Sequence, residues 1–145
     1  MSSLAVTKPE QIGQRAFGTI MGWDLTRLKD RLENEGHARH FLDELEVEWK
    51  KYLVLLEVFP GQEFPMSAPT DLFAHEHLLM TRDMQRLQEA LGGGVIHHEP
   101  TVNEKEKEAL LPLYQAETLP KMRMLFGTLN ENLWPANRCV CSYDK

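Results

Sequence analysis

The sequence predicts an all-α fold, a compact bundle of four to five helices with an irregular N-terminal arm and an irregular C-terminal tail. Apolar residues recur in steps of three and four over several long stretches, which is typical of helices that bury one face. Glycines and prolines interrupt these stretches, as expected of loops between helices. A length of 145 residues is that of one domain with a single core.

Composition and charge narrow the class of protein. Apolar residues make up 42% and charged residues 26%, which is ordinary for a soluble globular protein. Sixteen basic and 22 acidic residues give a net charge of −6, which opposes nucleic-acid binding. No apolar run approaches the roughly 18–20 residues of a membrane span, and no signal-peptide core is present. We therefore expect a cytoplasmic protein.

Residues 1–23 form the predicted arm. Its apolar side chains, among them Ile12, Phe17 and Ile20, are scattered between small and polar residues. A segment of this kind has no hydrophobic face of its own. It could dock onto its own domain or onto a partner protein, and the sequence leaves both alternatives open.

A single helical domain is predicted for residues 24–145, and its first helix begins at Asp24. This aspartate is a suitable cap for the helix. Leu25, Leu28 and Leu32 form one stripe at helical spacing, and Gly36 ends the helix at a position that favours glycine.

The second predicted helix spans residues 37–59 and ends at Pro60-Gly61. Its apolar residues alternate in steps of three and four, which indicates a face turned towards the core. The residues of this face are Phe41, Leu45, Trp49, Tyr52, Leu56 and Phe59.

The third predicted helix, residues 71–91, is the longest uninterrupted helical pattern, and we expect the domain to be organised around it. Ser67 or Thr70 could cap it, and three consecutive glycines end it. One face carries Phe73, His77, Met80, Met84, Leu87 and Leu91.

The remainder of the chain is predicted as one extended segment, one divided helix and the tail. Residues 95–100 are expected to be extended. The capping-box pattern of residues 101–104 begins a helix that Pro112 and Pro120 should kink or divide. The tail, residues 128–145, shows no clear period, and Trp134 is expected to anchor it to the core.

Four histidines are candidate metal ligands, because neutral imidazole binds transition metals such as zinc or iron. His75 and His77 lie about 200° apart around a helix axis, so they cannot both face one ion. His97 and His98 are adjacent in an extended segment and face opposite ways. A shared site therefore needs one histidine from each pair. The alternative is that His77 is a hydrogen-bonded core residue.

The other reactive side chains give weaker indications of a metal, redox or catalytic site. Cys139 and Cys141 both lie in the last seven residues, so they do not form a disulfide framework. A single residue between them is poor spacing for a metal or redox pair. Asp71, Glu76 and Glu99 are acid–base candidates only because they lie close to the histidines in sequence. The sequence contains no HExxH motif and no nucleophile elbow.

One stretch resembles a known family. Asp71-Leu-Phe-Ala-His-Glu-His-Leu-Leu-Met-Thr-Arg82, followed by Gly94-Val-Ile-His-His-Glu-Pro100, is similar to the histidine motifs of the glycine-rich domain-containing protein-like family. The resemblance extends over roughly residues 24–141. Ala74, Met80 and Met84 stand where that family carries Trp, Asp and Tyr. The resemblance implies an all-α fold and brings no activity with it.

Three functional hypotheses follow, and the sequence favours a non-enzymatic protein without deciding the question. The first is a non-enzymatic structural or interaction module, a small acidic subunit that docks into a larger assembly. Its candidate partner-binding side chains are Ile12, Phe17, Ile20 and Trp134. The second is a metal-binding protein or metalloenzyme that uses His75 or His77 together with His97 or His98. A third, weaker hypothesis is a small-molecule pocket on the methionine face of the third helix. The oligomeric state stays open.

Overall fold

The computed structural model describes residues 9–145, with side chains from residue 14 onward. This part of the chain is mostly helical, which confirms the helical prediction in its coarse form. It also contains a three-stranded antiparallel sheet, so the strictly all-α prediction is wrong. Six helical rods are present in the described residues, where four to five were expected.

The helices and strands have the following bounds. The first five helices are α1 (Pro9–Met21), α2 (Thr26–Asn34), α3 (Arg39–Val58), α4 (Ala68–Leu79) and α5 (Thr81–Ala90). The sixth rod runs without a break through α6 (Glu104–Leu113), a π-helical turn (Tyr114–Thr118) and α7 (Leu119–Phe126). The strands are β1 (Phe64–Met66), β2 (His97–Pro100) and β3 (Cys141–Asp144).

Helix α1 corrects the prediction of an irregular N-terminal arm. It packs against α3, and its Ala16 and Ile20 side chains are buried one helical turn apart. Lys50 of α3 fixes the end of α1 by donating hydrogen bonds to the carbonyl oxygens of Met21 at 3.1 Å and Trp23 at 2.7 Å. The described residues of the arm therefore dock onto the chain's own domain. Residues 1–8 lie outside the described part of the structure.

Helices α2 and α3 follow their predicted patterns closely. Leu28 and Leu32 of α2 are buried, and the Asp24 carboxylate accepts a hydrogen bond from the Thr26 N–H at 2.9 Å. In α3, Trp49 and Tyr52 are fully buried. Local periodicity predicts both helices, because α2 and the first half of α3 each bury one face, while residues 52–56 of α3 are buried on all sides.

The predicted single helix over residues 71–91 is wrong. The chain bends at Met80, which has φ −84° and ψ 71°, and this separates α4 from α5. The bend allows the Asp83 carboxylate to meet the His77 imidazole, with 2.8 Å between Oδ2 and Nε2. In a continuous helix, residues six apart lie about 240° apart around the axis, so this contact could not form.

Strand β3 corrects the prediction of an irregular C-terminal tail. It lies between β1 and β2 and pairs antiparallel with both. Tyr143 stands opposite Phe64 on one side and opposite His98 on the other. The predicted extended segment before residue 100 is confirmed as β2. Trp134 is buried, which confirms that it anchors the tail to the core.

An aromatic cluster joins α3 to the sheet and forms the centre of the core. The ring centroid of Tyr143 lies 5.7 Å from that of Trp49 and 5.8 Å from that of Tyr52. Trp134 stacks on Tyr52 at 6.1 Å and donates a hydrogen bond from Nε1 to Glu48 at 2.8 Å. The sheet therefore belongs to the same core as the helices.

The sixth rod begins two residues later than predicted. Asn103 caps the rod, because its Oδ1 accepts the Glu106 N–H at 2.9 Å, and Glu106 Oε1 accepts the Val102 N–H at 2.8 Å. Pro112 lies inside the rod and is followed by the π-helical turn. The rod ends at Phe126, and Gly127 after it has φ 82°. Among the described residues, no helix is both long and apolar enough to cross a membrane.

Docking of α1 can be tested by urea unfolding followed by circular dichroism. Ile20→Ala leaves a cavity between α1 and the rest of the core, and we expect it to lower the free energy of unfolding by about 2–5 kcal/mol. Phe17→Ala is the matched control on the same helix, because the Phe17 side chain is 44% exposed. Its expected effect is about 1 kcal/mol or less. Equal effects of the two substitutions would contradict the packing of α1 against the core.

Candidate metal centre

Three side chains of the sheet point to the same side. Successive residues of a strand face opposite sides, so Cys141 and Tyr143, two apart on β3, share a face. His98 of β2 stands opposite Tyr143 in the antiparallel register and lies on that face too. The two rings stack with 4.5 Å between their centroids and 20° between their planes. The sheet thus presents an imidazole, a thiol and a phenol together.

Helix α4 adds a carboxylate to this group. Asp71 lies in the first turn of α4, where an acidic side chain is favoured by the helix dipole. Its Oδ1 accepts hydrogen bonds from Tyr143 Oη at 2.7 Å and from Cys141 Sγ at 3.1 Å. These bonds hold the start of α4 against β3.

The imidazole of His98 completes the group without a hydrogen bond of its own. Its Nε2 atom is buried and has no hydrogen-bond partner among the described residues. It lies 3.7 Å from Asp71 Oδ1, too far for a hydrogen bond. A buried polar nitrogen without a partner is costly, which makes it a natural position for a ligand.

Asp71, His98 and Cys141 together have the geometry of a metal site. Their ligand atoms lie within 4.8 Å of one another. Ligand atoms on a tetrahedral zinc ion are roughly 3.3–3.8 Å apart, given bonds of about 2.0–2.3 Å. The distances from Asp71 Oδ1 to the other two atoms, 3.1 and 3.7 Å, are close to that range. Small side-chain adjustments would therefore allow the three residues to bind one ion.

His75 lies near the same three residues. It follows Asp71 by four positions on α4, so both side chains project from the same side of the helix. Its ring centroid is 5.6 Å from that of His98, with the rings at 70° to each other. His75 is exposed, so its ring has freedom to turn. It is the residue best placed to supply a fourth ligand.

The protonation states of the ligands follow from their burial. Burial lowers the pKa of His98, so its imidazole is neutral near pH 7, as a metal ligand requires. Burial, together with the Asp71 carboxylate, raises the pKa of Cys141 well above its usual value. The thiol therefore keeps its proton when no ion is bound, and binding a metal would release that proton.

His77, in contrast, lies in a separate hydrogen-bond network inside the core. Its Nδ1 accepts a hydrogen bond from Trp49 Nε1 at 2.9 Å, so the ring proton is on Nε2 and is donated to Asp83. Asp83 Oδ2 also accepts from Trp23 Nε1 at 3.0 Å. Both ring nitrogens of His77 therefore form hydrogen bonds. This agrees with the alternative prediction that His77 is a hydrogen-bonded core residue. Burial lowers the pKa of His77.

The four predicted histidine ligands are therefore not brought together. His75 and His98 share one neighbourhood, whereas His77 lies in the core network. His97 is exposed, because it alternates with His98 on β2 and faces the other side of the sheet. The structure replaces the histidine-only cluster by one that also contains a carboxylate and a thiol.

Two of these ligands could not be identified from the histidine pattern. Asp71 was considered only as an acid–base candidate, although its four-residue spacing from His75 is a usable signal. Cys141 was considered only as a pair with Cys139. Cys139 lies apart from the cluster, with its Sγ 3.8 Å from the Lys107 carbonyl oxygen. Cys139 precedes β3, which begins at Cys141, so it does not belong to the strand that places Cys141 at the cluster.

The predicted partner-binding side chains are distributed differently from the expectation. Ile20 and Trp134 are buried in the chain's own core, so they are not surface residues. Phe17 is 44% exposed and is available to a partner. The side chain of Ile12 lies outside the described part of the structure.

Compared with protein-family models, with curated proteins and with solved structures, the chain gives no significant match. The resemblance to the glycine-rich domain-containing protein-like family stays a prediction.

The His77 network can be tested through the pH dependence of stability. Its folded pKa lies below the unfolded value of 6.5, so the unfolded chain binds the proton more readily. Stability is then fully present above pH 6.5 and is lost as the pH falls below it. We expect the free energy of unfolding to decline between pH 7 and 5, and to decline less steeply in His77→Gln.

His40→Gln is the control, because His40 is exposed on the surface of α3. It should leave the pH dependence unchanged. In the wild-type protein, nitrogen-15 NMR should report His77 with its proton on Nε2. A proton on Nδ1, or a pH dependence indifferent to His77→Gln, would contradict the network.

Proposed function

We propose that this protein binds one transition-metal ion, best matched by zinc, through Asp71, His98 and Cys141, with His75 as the fourth ligand. One observation carries the proposal. The buried Nε2 of His98, which has no hydrogen-bond partner in residues 9–145 as described, lies 3.7 Å from a carboxylate oxygen, and a thiol lies beside both. These atoms come from three different elements of the fold.

The donor set supports an ion of the zinc type. It combines one oxygen, one nitrogen and one sulfur ligand, and a second nitrogen is near. Zinc accepts all three donor types in tetrahedral sites, whereas magnesium and calcium take oxygen ligands. A thiolate among the ligands favours zinc, or iron, over manganese.

A structural role for the ion follows from where its ligands lie. Four protein ligands fill a tetrahedral zinc and leave no position open for a substrate, which is the pattern of structural sites. The ion would join α4 to β2 and β3, three elements far apart in sequence. The non-enzymatic module of the first hypothesis is compatible with this role, with Phe17 as the exposed side chain that could contact a partner.

Binding must compete with the hydrogen bonds that exist without the ion. The Cys141 thiol and the Tyr143 phenol both donate to the same oxygen of Asp71. The ion would replace the thiol proton, and the hydrogen bond from Tyr143 could remain as a second-shell support of the carboxylate. The cluster is therefore stable without metal but acquires a partner for His98 when metal is bound.

We expect the purified, untagged protein to bind zinc in a one-to-one ratio, measured by mass-spectrometric metal analysis and calorimetry. His98→Ala and Cys141→Ser should each weaken the affinity by about 100-fold, because each removes one of a few ligands. With cobalt as a substitute, the thiolate ligand should give a charge-transfer absorption that is absent in Cys141→Ser.

His97→Ala is the matched control, since His97 is the neighbour of His98 on the other face of β2. It should bind zinc as the wild type does. If zinc is substoichiometric, or if His97→Ala and His98→Ala lose affinity equally, the proposed site is not the one that binds.

The affinity for zinc should rise with pH. Each binding event releases the Cys141 proton, whose pKa burial raises, so between pH 6.5 and 8 we expect about a tenfold gain in affinity per pH unit. Calorimetry in buffers of different ionisation enthalpy measures the number of protons released. Release of no proton would exclude Cys141 as a ligand.

A further inference from the structure

A second candidate site lies between the beginnings of α2 and α5 and shares no residue with the metal centre. It is a pocket of about 510 Å³, which is within the size range of pockets that hold small organic molecules. Its lining residues are Asp24, Leu25, Arg27, Leu28, Met80, Thr81, Arg82, Asp83 and Arg86.

Three arginines from two helices converge on this pocket. Arg27, Arg82 and Arg86 form no ion pair within the part of the chain that the structure describes. Arg31 and Arg39, in contrast, each pair with two or more carboxylates. The chain carries 22 acidic residues and a net charge of −6, so partners for arginine are abundant. Around this single pocket, three guanidinium groups have no carboxylate partner among the described residues. This arrangement indicates an anionic ligand.

The positions of two of these arginines strengthen the inference. Arg27 is in the first turn of α2 and Arg82 is in the first turn of α5. The partial positive charge of a helix N-terminus disfavours cations there. Within the described residues, no side chain caps the start of α5, so its first N–H groups lack a side-chain acceptor. An anion would interact favourably with the guanidinium groups and with these N–H groups.

The two carboxylates of the pocket do not neutralise the arginines. Asp83 Oδ2 accepts hydrogen bonds from Trp23 and His77, and Asp24 Oδ1 accepts one from the Thr26 N–H. Both groups are thus engaged in holding the fold. Three guanidinium groups against two carboxylates leave the lining with net positive charge.

The other four lining residues are Thr81 and three apolar residues, Leu25, Leu28 and Met80. Leu25 and Leu28 are buried, so the half-buried Met80 is the apolar residue that offers its surface to a ligand. Of the methionines in the predicted small-molecule pocket, Met80 lines this space and Met84 is buried in the core. A ligand with both an anionic group and an apolar part fits such a lining better than an inorganic ion does.

We propose that this pocket binds a small organic phosphate. Arg27, Arg82 and Arg86 hold the phosphate group, since the planar guanidinium matches phosphate oxygens in paired hydrogen bonds. The organic part of the ligand packs against Met80. The site is independent of the metal centre.

Calorimetry of the full chain with adenosine 5′-monophosphate, in a low-salt buffer that contains EDTA, tests the proposal without any contribution from metal. We expect saturable binding of the nucleotide and none of adenosine, which lacks the phosphate. Arg27→Gln, Arg82→Gln and Arg86→Gln should each weaken binding by at least about tenfold, because each removes a charge-assisted contact. All three side chains are exposed, so these variants should fold.

Arg123→Gln is the control, since Arg123 is an exposed arginine on α7 outside the pocket. It should bind the nucleotide as the wild type does. The proposal is overturned if the wild type does not bind, if adenosine binds equally well, or if the three pocket variants match Arg123→Gln. Equal affinity for inorganic phosphate would overturn the proposal that the organic part of the ligand contributes to binding.

Discussion

The pairing of β3 with both outer strands is the constraint on which the rest of the structure depends. β1 and β2 do not pair with each other, so β3 alone joins them into a sheet. The same strand places Cys141 and Tyr143 against Asp71 of α4. The Tyr143 ring lies between Trp49 of the core and His98 of the candidate metal centre. The Tyr143 side chain therefore contacts both the core and the candidate metal centre, so a change that moves β3 would disturb both.

Local patterns predict α2, α3 and the extended segment that contains β2, and they miss α1, β1 and β3. A helix such as α2 buries one face through Leu28 and Leu32, so its residues repeat with a period that the sequence displays. The strands are only three or four residues long, too short for a two-residue alternation to be recognised. Their partners are distant in the chain, and no local signal reports such pairing. The break at Met80 is similar, since the contact that it allows between His77 and Asp83 leaves no mark on the local pattern.

The candidate site could be predicted by residue type and only partly by position. His98 was identified as a metal ligand because imidazole is a common one, and His75 lies beside it in the structure. Asp71 and Cys141 required knowledge of which face of β3 meets α4, which depends on the sheet. His77 shows the opposite case, since its place on the apolar face already favoured a buried, hydrogen-bonded role. Residue types in the sequence thus indicate the kind of site, whereas the set of candidate ligands depends on tertiary contacts.

The long sequence separation of the contacts made by β3 has a consequence for the order of folding. Asp71 and Tyr143 are 72 positions apart, so their contact closes a long loop, and contacts between distant parts of a chain form more slowly than local helices. We infer that α2 and α3 form early and that the sheet joins them late. Groups that meet only after the rate-limiting step slow unfolding without speeding folding. An ion held between α4 and β3 would then slow unfolding. It would lengthen the lifetime of the native state and leave the rate of folding unchanged.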